Sequence, residues 1–76
     1  MADTLPPSVR LNNHFQGLGR LSSISYLERD NGPTAEYRWT MTVKIDGVVM
    51  GSCDAPRRAM AKEAAAEQAL RNLGLE

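Results

Sequence analysis

The chain of 76 residues contains one cysteine, one histidine, one tryptophan, one phenylalanine and two tyrosines, and its nine basic side chains balance nine acidic ones. Each scarcity excludes something. A lone Cys53 rules out an internal disulfide, and no Asn-x-Ser/Thr acceptor occurs, which agrees with an intracellular chain, cytoplasmic or nuclear. One histidine with scattered carboxylates leaves no nucleophile–base pair and no metal-ligand spacing, so no enzyme, metal or cofactor is expected. Accordingly His14 reads as a surface helix residue and Cys53 as a small buried one. No apolar run approaches the roughly 20 residues of a bilayer-crossing helix, and MADTLPPS lacks a basic-then-apolar leader, so no membrane partner is expected. Zero net charge excludes a protein that coats nucleic acid by bulk charge; any such binding must come from local clustering.

What is present is a strong helix signal. Ala55 to Gly74 reads as a helix in which nearly every residue from Ala59 to Leu73 favours that state, with Asp54 expected as N-cap, Pro56 in the first turn and Gly74 as the stop. Ala61, Ala65, Ala69 and Leu73 share one side with Ala66 and Leu70, a stripe of small side chains that allows close approach to a sheet. The first turn is the unusual part. Arg57, Arg58 and Lys62 gather at the positive end of the helix dipole, where cations are disfavoured by a few tenths to ~1 kcal/mol each. By itself this is either a solvated helix end or, with the exposed backbone N–H groups, a phosphate site.

Earlier in the chain, residues 1–6 read as a lead-in, and a first helix starts at Pro7 or Ser8 and ends at Gly17 and Gly19. Its apolar side is Leu11, Phe15 and Leu18, flanked by Val9 or His14. Asn12, Asn13 and Gln16 form an amide face that reads either as ordinary solvated surface or as a face that binds sugars. Leu21 to Arg29 is expected as a first strand, and Asp30 to Thr34 as a turn. A second strand from Glu36 alternates Tyr37, Trp39, Met41, Val43 and Ile45 inward, with Trp39 as core. Asp46-Gly47 closes a type I′ hairpin to a third strand, Val48 to Cys53. A strict two-residue turn puts Val48 and Met50 on the core face; a longer turn or bulge buries Val49 and brings Gly51 and Cys53 against the helix.

The fold class is α+β, a two-layer α-β-β-β-α domain over residues 7–74 with both helices on one face of a three-stranded antiparallel sheet, and 75–76 as a tail. Met1 and the short tails fit a chain that stands alone, and equally one domain of a larger protein. From Pro7 to Leu73 the sequence resembles the double-stranded RNA-binding domain. Leu11-Asn12-Asn13 with Gln16 is similar to the family's LNE…Q stretch, Gly32-Pro33 to its GPxH, Trp39 to its aromatic strand residue, and Arg58-Ala59-Met60-Ala61-Lys62 with Ala64-Ala65-Ala66 to its KKxAKxxAA.

The resemblance implies non-catalytic, shape-based binding of A-form duplex RNA. Asn12, Asn13 and Gln16 would meet one minor groove, the Gly32-Pro33-Thr34 turn the next, and Arg57, Arg58 and Lys62 the phosphates between them. The sequence departs from the pattern at Asn13, in place of glutamate, at Ala35, in place of the GPxH histidine, and at Ala59, in place of the second lysine. Those losses and the zero net charge leave an alternative, a protein-pairing module in which the third strand's edge takes up a homodimer or protein partner.

Overall fold

The computed structural model describes residues 5–75, so Met1–Thr4 of the expected lead-in and Glu76 of the expected tail lie outside the described residues. In chain order the elements are helix α1 (Pro7–Gly17), a 3₁₀ turn (Leu21–Ser23), strands β1 (Ile24–Asp30), β2 (Trp39–Ile45) and β3 (Val48–Ala55), and helix α2 (Arg58–Asn72). The sheet is antiparallel in the order β1-β2-β3. It has two open edges, β1 and β3. Helix α2 lies on β2 and β3, and α1 packs beside α2 on the same core.

Helix α1 starts with Pro7, whose fixed φ suits a first helical position and whose missing N–H is no loss there. Pro6 precedes it and carries no side-chain cap. The cap comes from the other helix instead: Ser8 donates its backbone N–H to Glu63 Oε1 at 2.9 Å and its hydroxyl to Glu63 Oε2 at 2.8 Å. Leu11 and Phe15 are buried, whereas Leu18, expected beside them, is 55% exposed. The reason is where the helix stops. With Gly19 at φ +71°, the N–H groups of Gly19 and Arg20 turn back to the carbonyls of Gln16 and Phe15, which leaves Leu18 outside the last turn.

The first strand begins three residues later than the sequence predicts, because Leu21–Ser23 form a 3₁₀ turn between the helix layer and the sheet. The second begins at Trp39 rather than Glu36, and Tyr37 is exposed. Asn31 accounts for this. Its side-chain amide donates to Tyr37 O at 3.1 Å and Thr40 Oγ1 at 2.8 Å, and its backbone N–H to Arg38 O at 2.7 Å, so local bonds replace the ladder. Within β2 the alternation is as predicted, with Met41, Val43 and Ile45 buried. Trp39 is only half-buried at the rim of the core.

Asp46 and Gly47 take φ +53° and +82°, the type I′ signature, and Ile45 pairs with Val48 across them. A bulge follows at once: Lys44 pairs with Val49 but Val43 pairs with Gly51, so Met50 is the extra residue. The tight turn and the bulge therefore coexist. Gly51 is buried and Cys53 half-buried, as the bulged register predicts, and Ala55 is buried beyond the expected strand end, whereas Val48 and Val49 are both exposed and neither expected valine is buried.

Helix α2 also starts later than expected, at Arg58, with Arg57 as N-cap and no side-chain bond there. Asp54 is not its cap, and Pro56 lies ahead of the first turn. β3 runs on to Ala55, so Asp54 belongs to the sheet, where its carboxylate accepts from Thr40 Oγ1 at 2.7 Å. At the far end Gly74 has φ +75°, and Gly74 and Leu75 donate to Arg71 and Leu70, the same closure that ends α1. The alanine stripe is buried against the sheet: Ala61, Ala65, Ala66 and Ala69 are wholly inaccessible, Leu70 nearly so, and Leu73 packs at the margin.

Candidate nucleic-acid interface

One side of β1 assembles the candidate groups. Tyr26, Glu28 and Asp30 are spaced by two along an extended strand, so they share a side, and from Tyr26 to Asp30 the row runs about 13 Å. Each meets a cation. Lys62 Nζ stands 5.1 Å from the centroid of the Tyr26 ring, Arg58 Nη1 lies 3.4 Å from Glu28 Oε2, and Arg38 makes a two-pronged contact with Asp30, both bonds 3.1 Å. Arg58 and Lys62 come together because they are four apart on α2. The Arg58 guanidinium also sits 5.7 Å from the centre of Trp39, whose ring has Arg38 at 5.2 Å as well. Aromatic rings thus steady both helix cations in a way that their sequence positions do not reveal.

Tyr26 also joins the two helices at the site. Its hydroxyl donates to Asn12 Oδ1 at 3.2 Å, while Asn13 and Gln16 are exposed on the same helix. Burial, and then the Glu63 carboxylate, raise the Tyr26 phenol above its usual pKa, so it stays protonated and keeps donating.

The turn at the other end of β1 is held in shape by its own polar groups. Gly32, at φ +107°, donates its N–H to Asp30 Oδ1 at 2.9 Å, and Ala35 donates to Gly32 O at 3.1 Å, with Pro33 and Thr34 exposed between them. The Arg38 side chain, and then the Gly32 N–H, hold the Asp30 carboxyl below the ordinary aspartate range. Ala35 offers no polar group at the position where the resemblance calls for histidine.

Of the three expected cations, Arg58 and Lys62 are engaged as described. Arg57 is exposed at the N-cap, and among the described residues it forms no ion pair. Sequence reasoning missed Tyr26, Glu28, Asp30 and Arg38. The signal available was the period of two that puts three polar-tipped side chains on one side of a strand.

Among the described residues no group of three His, Cys, Asp or Glu side chains could hold a metal ion, and no helix is long and apolar enough to cross a membrane. No pocket opens among the described residues. Residues 9–73 match the family model described as the double-stranded RNA binding motif. No curated protein matches the chain.

Proposed function

The chain belongs to the double-stranded RNA-binding motif family, and from that membership we propose that it binds A-form duplex RNA by shape, without catalysing a reaction on it. The observation that carries the reading is the row along β1, which links the Asn12 amide, the Arg58 and Lys62 cations and the Gly32–Thr34 turn through Tyr26, Glu28 and Asp30. Duplex RNA presents a shallow minor groove lined with 2′-hydroxyls and a deep major groove that side chains do not read. Asn12, Asn13 and Gln16 bond 2′-hydroxyls and base edges in one minor groove. Gly32, Pro33 and Thr34 enter the next, and Arg57, Arg58 and Lys62 take the intervening phosphates. Two of these contacts depend on ribose, so duplex DNA binds much more weakly. We place this activity inside the cell, in cytoplasm or nucleus.

Fluorescence anisotropy with a labelled duplex of about 20 base pairs, as RNA and as DNA, tests this at two salt concentrations. Saturable, salt-sensitive binding to RNA with little to DNA is expected. Replacing Arg58 and Lys62 together by alanine is expected to abolish it, and removal of a single phosphate contact lowers the log–log salt slope by about 0.7–0.9. Equal binding of RNA and DNA reduces the activity to phosphate attraction, and no binding to either refutes it.

One observation favours a second reading, pairing with another copy or with a protein. β3 is an edge strand, and its first two residues, Val48 and Val49, are 59% and 55% exposed. A concentration-dependent dimer in sedimentation that a Val49→Lys change disperses would support it; a monomer throughout would exclude the homodimer.

A further inference from the structure

Glu28 points to the helix side of an edge strand, where a carboxylate has no place in the core and an inward charge discourages edge pairing. Its position does more than protect an edge. The carboxylate lies 3.4 Å from Arg58 Nη1, and both side chains remain partly open to solvent, 40% for Glu28 and 62% for Arg58. The guanidinium also faces the Trp39 ring at 5.7 Å, so in the free protein Arg58 is held between an acid and an indole. A carboxylate and a phosphate are both drawn to a guanidinium, and Arg58 Nη1 already faces Glu28, so the two anions compete for Arg58. Lys62 differs, because its partner is the neutral face of Tyr26, which attracts the ammonium without supplying a negative charge.

We propose that Glu28 is an internal counter-ion for Arg58 that a backbone phosphate must displace, so the chain's affinity for duplex RNA is held below what its cations alone would provide. This rests on the RNA-binding reading. It assigns to Glu28 an effect opposite in sign to that of its neighbours: removing the charge strengthens binding. The effect passes through one residue, since among the described residues Glu28 pairs with Arg58 and with no other cation of the site. A diffuse repulsion between Glu28 and the RNA would act whether Arg58 is present or not, and this difference separates the two.

The test is a double-mutant cycle read by RNA-duplex anisotropy at low salt, using Glu28→Gln, Arg58→Ala and their combination, with circular dichroism to confirm that each is folded. Glu67→Gln, which removes the same charge from an exposed i,i+4 pair with Arg71 at 2.9 Å, controls for net charge. Glu28→Gln is expected to tighten binding about three- to fivefold, the upper part of the range for an exposed ion pair. In the Arg58→Ala background the same change is expected to give less than about twofold, within the additivity of independent sites. Glu67→Gln is expected to match the parent. An equal gain in both backgrounds, or no gain in the parent, overturns the proposal and leaves RNA binding standing. Failure of both the parent and Glu28→Gln to bind RNA overturns the two together.

Discussion

Gly51 is where helix and sheet come closest. A methyl group placed on it would lie 2.2 Å from Ala65 O, 2.9 Å from Ala69 N and 3.1 Å from Gln68 Cβ, and the first two are helix backbone that cannot turn aside. Its φ is not in the left-handed region, so the constraint is space alone. The alanines opposite are small for the same reason. Gly51→Ala is therefore expected to cost about 1–3 kcal/mol, because α2 must lift from β3. Urea denaturation reads it as a lower midpoint, and an unchanged midpoint would mean that the helix is free to shift.

Between elements, the decisive bond is the one that starts α1. Pro6 has no side chain able to cap, so the first turn relies on Glu63, whose carboxylate takes both the Ser8 N–H and the Ser8 hydroxyl. Ser8 is buried, and without that acceptor its polar groups would be left short of partners. Glu63→Ala is expected to destabilise the chain by about 0.5–2 kcal/mol, the range for loss of a helix cap. Amide exchange should quicken first in Ser8 and Val9; uniform quickening along the chain would argue for a global effect instead. A helix cap supplied from 55 residues away also ties α1, which carries Asn12, Asn13 and Gln16, to α2, which carries Arg58 and Lys62.

At the scale of the whole molecule, two aspartates at opposite ends of the sheet are expected to contribute to its response to acid. Asp30 braces the β1–β2 turn. Asp46 braces the β2–β3 hairpin, its carboxyl held below the ordinary aspartate range by the Ser23 hydroxyl and then by Arg20, with which it pairs. Because both folded values are lowered, the folded state holds fewer protons than the unfolded one. The stabilisation is fully present above the ordinary aspartate value and is lost as pH falls through the lowered folded values. Urea midpoints should therefore fall as pH drops below about 5. The double change Asp30→Asn with Asp46→Asn should flatten that fall, and an equally steep loss in the double variant would assign acid sensitivity elsewhere.

Much of this molecule was legible in its sequence, because periodicity is local. The period of two in Met41, Val43 and Ile45, the alanine stripe from Ala61 to Ala69 and the Asp46-Gly47 turn each state which side of an element is buried or where the chain reverses. They were enough for the order of elements and the layers, while the motifs around Asn12, Gly32, Trp39 and Arg58 carried the family resemblance and a spacing of four placed Arg58 and Lys62 on one side of a helix. Tertiary structure decided what local pattern does not carry. It moved the N-cap of α2 from Asp54 to Arg57, because β3 continued into the residues expected to cap the helix. It inserted Met50 as a bulge, gave Ser8 a cap from Glu63, and set Glu28 against Arg58. Such pairings depend on strand register and on how two layers settle against each other. Both are fixed only when the core closes, since a shift of one residue exchanges every side chain that faces it.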